Sequence, residues 1–249
     1  MFNSNPWIKC LNPNPNAVFR LFCFPYAGGG ASIFRTWSNS LPSNIEVCAI
    51  QPPGREGRLR ESPFTHISPL VQTITQVIRP YLNVPFAFFG HSMGALVCFE
   101  LARQLRVQQE VCPVHLFVSA RRAPQLPDRN PLMHTLPEKE FLSELRCYNG
   151  TNEKVLENSE LMEILLPTLR ADFSICGTYT FLSEPPLNCS ISAFGGIEDS
   201  IETSDLINRW EEQTCSSFSL FMLPGNHFFL HFSQQRLLEI ISRQLLQFL

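Results

Sequence analysis

The sequence predicts an α/β domain with a mostly parallel central sheet flanked by helices. Six short apolar runs rich in Val, Ile and Phe recur along the 249 residues, and each ends in Gly, Pro or small polar residues, as buried strands do. Helical stretches separate several of these runs, and such alternation is typical of a parallel sheet that is covered on both faces. With 44% hydrophobic residues and 21 phenylalanines, the chain has enough apolar surface to fill a large core.

The individual elements can be assigned from the periodicity of the apolar residues. Strands are predicted over residues 18–24, 45–50, 85–89, 114–119, 189–194 and 218–223. A helix is predicted over 93–106, where Leu96, Phe99 and Leu105 alternate with charged and polar residues. Residues 234–249 predict a closing amphipathic helix, whose apolar stripe consists of Leu237, Leu238, Ile241 and Leu245.

The alternation of strand and helix is interrupted between residues 122 and 182, which contain no convincing strand. Helical periodicity is present over 138–147 and over 159–175, where the apolar stripe is predicted to be Leu161, Ile164, Leu165 and Leu169. We expect residues 1–249 to form a single domain, with 122–182 as a helical insertion that acts as a lid above the sheet. The alternative is that these helices are ordinary crossovers joined by long loops.

Composition and charge exclude several classes of protein. A net charge of −3 gives no nucleic-acid footprint, and the basic clusters are too short to count as tails: Arg55, Arg58 and Arg60, then Arg121 and Arg122. The first 15 residues are polar and Pro-rich, unlike a signal peptide, and no apolar run reaches the roughly 18 residues of a membrane helix. We therefore expect a cytoplasmic protein that does not insert into membranes. The nine cysteines show no metal-ligand spacing and are predicted to be buried free thiols.

The strongest local motif is Gly90-His91-Ser92-Met93-Gly94, which fits the pattern G-x-S-x-G. It lies between a predicted strand and a predicted helix, which is the context of a nucleophile elbow. Such an elbow holds its serine in a strained backbone conformation, and glycines on either side remove side chains that would clash in the turn. The sequence therefore predicts Ser92 as a nucleophile.

Serine needs a base within hydrogen-bond reach, and that base is usually a histidine. We favour His227, because it follows the last predicted strand in a loop that contains Gly225. His231, four residues later, is the nearest rival, and a metal pair of His227 and His231 is a poor alternative because no carboxylate lies nearby in the sequence. The other four histidines have less suitable positions: His66, His91, His115 and His134.

A carboxylate must hold the histidine in one tautomer, and in the α/β-hydrolase fold the order along the chain is serine, acid, histidine. Asp199 fits this order, because it follows the predicted strand 189–194 through a short turn. Glu198 is the nearest rival. The alternative without a catalytic role is that Asp199 is a solvated carboxylate in a turn. The other three aspartates lie in the insertion or at a predicted helix start, and are Asp128, Asp172 and Asp205.

Acyl transfer also requires hydrogen-bond donors aimed at the oxyanion. We expect one from the backbone amide of Met93, the residue after the nucleophile, and a second from the amide of Ala27 in the loop 24–30. Three consecutive glycines in that loop allow the backbone to approach a substrate. A phosphate-binding loop is disfavoured because no Gly-Lys-Ser/Thr follows. This chemistry needs no metal ion or redox cofactor.

Several ordered segments together resemble the type II thioesterases, the stand-alone editing enzymes of nonribosomal peptide and polyketide synthases, which are related to oleoyl-carrier-protein hydrolases. The matching segments are FCFPYAGGGAS, IQPPGREGR, FFGHSMGA, SARRAP, LPTLRADF, FGGIEDSI and LPGNHFFL, so the resemblance runs from about residue 17 to the end. It implies an α/β-hydrolase fold with a helical lid. It also implies a triad of Ser92, Asp199 and His227 and oxyanion amides at Ala27 and Met93.

The substrate follows from the resemblance alone. It implies hydrolysis of acyl or aminoacyl thioesters on the phosphopantetheine arm of a carrier protein, an editing role in which the partner supplies the phosphopantetheine. Arg55, Arg58 or Arg121 could meet the acidic surface of that partner, and we expect a monomer. The alternatives are a general carboxylester hydrolase on the same fold and a non-catalytic binding module. A release domain cut from a synthase is disfavoured, because the chain begins at methionine and shows no linker or carrier segment.

Overall fold

A computed structural model describes residues 5–10, 12–109, 111–148 and 153–249. Its centre is a twisted sheet of seven strands in the order β1-β3-β2-β4-β5-β6-β7. The strands are β1 (Ile8–Cys10), β2 (Phe19–Phe24), β3 (Ile45–Ile50), β4 (Phe86–His91), β5 (His115–Ser119), β6 (Ser190–Gly196) and β7 (Phe218–Leu223). β2 to β7 are parallel and β1 pairs antiparallel with β3, which confirms the predicted mostly parallel sheet.

Helices cover both faces of this sheet. In the described part of the chain they are α1 (Ile67–Ile78), α2 (Met93–Gln109), α3 (Glu138–Tyr148), α4 (Glu153–Leu156), α5 (Ser159–Gly177), α6 (Ser204–Asn208), α7 (Phe229–Phe232) and α8 (Gln234–Leu245). Short 3₁₀ turns join several of them, and one of these, Leu246–Phe248, follows α8. The predicted helix 234–249 therefore changes to 3₁₀ geometry in its last turn.

The strands alternate their side chains between two cores, as the period of two requires. In β2, Phe22 and Phe24 pack with α1 and α2 on one face, whereas Leu21 and Cys23 face the other. The second face is covered by α8 through the predicted stripe Leu237, Leu238, Ile241 and Leu245, all of which are fully buried. The sheet is thus buried on both sides, and the functional loops emerge at the carboxyl ends of its parallel strands.

Strand β1 was absent from the sequence prediction. It contains only three residues in a stretch rich in Pro and Asn, too short to show a period, and it forms by pairing with the edge strand β3. Pairing with a distant strand thus determines the conformation of β1, because its own sequence shows no strand periodicity.

Residues 122–182 contain α3, α4 and α5 and no strand among the residues described, while residues 149–152 of the predicted insertion lie outside those residues. These helices share a small apolar core of their own, which includes Met162, Leu166 and Leu169.

The predicted stripe on α5 is wrong at two positions, because Leu161 is 42% and Ile164 is 50% exposed. The helix instead buries Met162 and Leu166. The buried set is displaced along the sequence by about one residue from the predicted stripe, so both sets satisfy the helical period. Only the position of the neighbouring helices determines which set is buried.

The prediction that the cysteines are buried holds for only part of the set. All nine are free thiols, but Cys147 and Cys215 are exposed and Cys10 and Cys112 are half-buried. No helix in the described ranges has both the length and the apolar character needed to cross a bilayer.

Candidate active site

Ser92 lies on the sharp turn between β4 and α2, with a positive φ of 54°. Its amide donates to the carbonyl of Ser119 on the neighbouring strand end at 2.7 Å. A Cβ on Gly90 would lie 2.2 Å from the carbonyl oxygen of Gly94, and a Cβ on Gly94 would lie 2.3 Å from that of Phe24. The turn therefore needs glycine at both positions, and it aims the hydroxyl of Ser92 away from the sheet.

The structure brings Ser92, His227 and Asp199 together in one hydrogen-bonded chain. The Nε2 atom of His227 lies 3.1 Å from the Oγ of Ser92, and its Nδ1 atom lies 2.8 Å from Oδ2 of Asp199. The other carboxylate oxygen of Asp199 accepts from the amides of Ile201 and Glu202, at 2.9 and 3.1 Å. Burial raises the pKa of Asp199, but the hydrogen bond and charge of His227 and these two amides outweigh it and hold the pKa below its usual value.

The ionised carboxylate fixes the tautomer of the histidine. Because Asp199 can only accept, Nδ1 of His227 carries the proton, and Nε2 is left to accept the hydroxyl proton of Ser92. This is the arrangement that general-base activation of a serine requires.

Asp199 and His227 are positioned by close contact between the loops that follow β6 and β7. A Cβ on Gly196, at the end of β6, would lie 2.4 Å from the carbonyl oxygens of Gly225 and Asn226. Gly225 itself has a φ of 117°, a conformation that favours glycine. The rivals lie elsewhere: Glu198 is exposed, and Nε2 of His231 lies 3.1 Å from the hydroxyl of Tyr26.

His91, the residue before the serine, is a site residue that the sequence reasoning missed. Its ring is fully buried, and Nε2 donates to the backbone carbonyl of His227 at 2.9 Å. Its Nδ1 therefore accepts from the hydroxyl of Ser119, also at 2.9 Å. Burial, and then the charge of His227, hold the pKa of His91 well below its usual value, so the ring is neutral. The nucleophile elbow thus contacts the loop that carries His227 directly. The only indication of this role in the sequence was that His91 is adjacent to Ser92.

The predicted oxyanion donors lie at the same cavity as the serine. Ala27 and Met93 both line it, and neither amide hydrogen-bonds to another group in the described part of the chain. The next amide in the loop, that of Gly28, donates to Oδ2 of Asp172 at 2.7 Å. Gly28 has a φ of 79°, so this loop is held in a conformation that glycine favours.

Asp172 on α5 therefore belongs to the site, although the sequence placed it only in the insertion. It is 1% exposed, and its carboxylate accepts two hydrogen bonds from Arg55, at 2.5 and 2.9 Å. Arg55 also donates to the carbonyl of Gly29 at 3.3 Å. A buried bidentate ion pair thus joins helix α5 to the loop that carries the Ala27 amide.

The cavity beside Ser92 is small, about 40 Å³, and residues between 122 and 182 form much of its wall. Leu145, Tyr148, Leu169 and Phe173 give it apolar surface. Arg121 and Asp128 add a partly buried ion pair at 2.9 Å. Compared with the volume of a water molecule, this cavity has room for a few waters but not for an acyl chain.

The arginines suggested for partner docking are not surface groups. Arg55 is paired with Asp172, Arg58 donates to Glu61, and Arg121 is paired with Asp128. All three side chains are largely buried, because each one organises loops within the molecule. The docking suggestion is therefore wrong for these residues.

The strand order, with the serine after β4, the aspartate after β6 and the histidine after β7, defines an α/β-hydrolase. A family model described as thioesterase domain matches residues 19–245. The chain therefore belongs to the thioesterase family, a family of hydrolases that act on thioesters, and the predicted resemblance is confirmed.

The chain is similar to a biosynthesis protein and to solved type II thioesterases. The gramicidin S biosynthesis protein GrsT of Aneurinibacillus migulanus is 51% identical over 241 residues, which cover 97% of this chain and 94% of the relative. Among solved structures, the type II thioesterase BorB from the borrelidin biosynthetic cluster matches with a TM-score of 0.88 and 35% identity, covering 98% of this chain and all of its own. YbtT, a type II thioesterase from the yersiniabactin NRPS/PKS pathway, matches with a TM-score of 0.84 and 28% identity, over 95% and 97% of the two chains.

Proposed function

We propose that this protein is a serine thioesterase that removes acyl or aminoacyl groups from the phosphopantetheine arm of carrier proteins, an editing role in nonribosomal peptide or polyketide synthesis. The observation that carries the proposal is the 3.1 Å contact between His227 Nε2 and Ser92 Oγ. This contact is part of a series of hydrogen bonds that ends at the ionised carboxylate of Asp199. The biosynthetic pathways of the solved relatives BorB and YbtT support the choice of a carrier-bound substrate.

In the proposed first step, the Oγ of Ser92 attacks the thioester carbonyl while Nε2 of His227 takes the hydroxyl proton. The amides of Ala27 and Met93 receive the oxyanion, since both line the cavity without an internal partner among the described residues. The C–S bond then breaks, and the imidazolium returns its proton to the departing pantetheine thiolate. Water attacks the acyl-serine through the same base and releases the acid and Ser92.

The remaining features of the proposal concern organisation. Residues 1–249 form one domain in which 122–182 act as a lid, which is supported by the four apolar side chains of this insertion that line the cavity. Because that cavity is only about 40 Å³, these side chains must shift to admit an acyl group. The reaction uses no cofactor of the protein, and the enzyme works as a cytoplasmic monomer with carrier domains as partners.

The test is hydrolysis of an acylated carrier protein, followed by mass spectrometry of the carrier. Ser92→Ala and His227→Ala should each lower kcat by about 10⁴-fold or more. Ser190→Ala is the matched control, because Ser190 begins β6 at the opposite end from the site, and it should leave the rate unchanged.

Two further arms separate the alternatives. A clear preference for a simple aryl ester over the acylated carrier would favour a general carboxylester hydrolase. Failure of the wild-type chain to react at Ser92 with a serine-directed phosphonate, detected as no added mass on the peptide that contains it, would favour a binding module.

A further inference from the structure

Two cysteines face each other at the edge of the sheet, remote from the site. The Sγ atoms of Cys10 on β1 and Cys48 on β3 lie 3.2 Å apart, and the two residues are register partners. The amide of Gln51 donates to the carbonyl of Trp7, so alternation along the antiparallel ladder makes 10 and 48 a non-hydrogen-bonded pair. Such pairs have Cα atoms about 4.5 Å apart, a separation that a disulfide can span.

The surroundings give the two sulfurs different reactivity. Cys48 is fully buried, whereas Cys10 is half-buried. The hydrogen bond from Cys48 lowers the pKa of Cys10 against the effects of burial and of Glu46. The hydrogen bond to Cys10, together with burial, raises the pKa of Cys48. The thiolate thus forms on the more accessible sulfur, with a protonated thiol in contact with it.

A metal site is the competing explanation for this cluster, since ligand atoms of Cys10, Glu46 and Cys48 lie within 4.8 Å of one another. Both oxygens of Glu46 are already used, one by the amide of Asn14 and the other by Arg20 at 2.7 Å. The guanidinium of Arg20 also opposes a cation. Two thiolates on a tetrahedral zinc ion lie about 3.8 Å apart, farther than these sulfurs.

We propose that Cys10 and Cys48 are a redox modification site that forms a reversible cross-strand disulfide. With hydrogen peroxide as oxidant, the thiolate of Cys10 attacks one peroxide oxygen, and hydroxide leaves to give a sulfenic acid. The sulfur of Cys48 then attacks that of the sulfenic acid, the S–O bond breaks, and the thiol proton leaves with the hydroxyl group as water. One peroxide is reduced to two waters as two thiols become one disulfide.

The bond would link strand β1 covalently to the sheet. Besides its pairing with β3, this three-residue strand is held by the buried side chain of Ile8 and by the preceding Trp7, whose ring centroid lies 4.3 Å from the guanidinium carbon of Arg58. The crosslink would close a loop of about 39 residues in the unfolded chain, which corresponds to a rise of roughly 8–15 °C in the melting temperature for a chain of this size. Because neither cysteine lines the cavity beside Ser92, hydrolysis should not change.

The test uses the full chain treated with hydrogen peroxide, digested with trypsin under non-reducing conditions and analysed by mass spectrometry. Cys10 lies in tryptic peptide 10–20 and Cys48 in peptide 36–55, each with one cysteine, so the crosslinked product is unambiguous. We expect the crosslink in the wild type, its loss in Cys10→Ser and its reversal by dithiothreitol. The double variant Cys147→Ser/Cys215→Ser, which removes the two exposed thiols, is the matched control and should retain it.

Three results would overturn the proposal. One is oxidation confined to Cys147 and Cys215 while peptides 10–20 and 36–55 stay unlinked. Another is stoichiometric binding of Zn²⁺ that is lost in Cys10→Ser, which would assign the pair to a metal. The third is a crosslink between peptides 10–20 and 36–55 that dithiothreitol does not reverse.

Discussion

Replacing Asp172 by asparagine tests whether the insertion orders the loop that carries the Ala27 amide. Asparagine has nearly the same shape, but it loses the charge and one acceptor oxygen. In the native protein Oδ2 accepts from the amide of Gly28 at 2.7 Å and both oxygens accept from Arg55. The substitution therefore leaves a buried guanidinium without its counterion and weakens the hold on the glycine loop.

The expected effect has two parts. Removing one partner of a buried ion pair costs about 3–5 kcal/mol of folding free energy, and the retained amide oxygen places Asp172→Asn near the lower value. If the loop then shifts and one oxyanion donor is misplaced, kcat falls by about 10²–10³. KM should change little, because the donor is most needed when charge develops in the transition state.

The assay is steady-state hydrolysis of an acylated carrier protein together with urea unfolding. Glu46→Gln is the matched control, because Glu46 is the buried partner of Arg20 at 2.7 Å, at the sheet edge away from the site. It should lower stability to a similar extent and leave kcat intact. A kcat for Asp172→Asn within about threefold of wild type, despite the loss of stability, would show that the ion pair serves only the fold.

Three other predictions concern groups whose surroundings the structure specifies. Burial lowers the pKa of His115 to about 4, below its unfolded value of 6.5, so it contributes stability above pH 6.5 that is lost as the pH falls toward 4. The loss amounts to about 3 kcal/mol in urea unfolding, and His115→Gln should lack it; equal pH dependence in both proteins would contradict this. His91→Gln should lower kcat by roughly 10–100-fold, with KM little changed, because the loop of the base loses its contact with the elbow. Met162→Ala should cost about 2–5 kcal/mol and exposed Leu161→Ala at most about 0.5, and a reversed order would restore the predicted stripe.

The parallel part of the fold could be predicted because its signals are local. Each buried strand is a short apolar run that ends in turn residues, and the predicted ranges 45–50 and 218–223 coincide with β3 and β7. The elbow also had a local signature, since the glycines on both sides of Ser92 are required by contacts of less than 2.5 Å that a Cβ would make. Chain order then limited the choice of acid and base to residues at later strand ends.

The rest could not be predicted because it depends on pairing between distant segments. Arg55 and Asp172 are 117 residues apart, and nothing near either one in the sequence indicates its partner. Strand β1 likewise forms only against β3. On α5, two overlapping apolar sets satisfy the same period, and the position of α3 selects the one that is buried.

The four aspartates show how a search for a single role hides other roles. When one triad acid is sought among the aspartates, the sequence favours Asp199. Asp172 and Asp128 also lie at the site, however, and each has its own cationic partner. Asp199 accepts from the imidazole, Asp172 holds the glycine loop through its amide, and Asp128 neutralises Arg121 in the cavity wall. Because the three carboxylates have different partners, none is placed to substitute for another. Loss of any one should therefore produce its own defect.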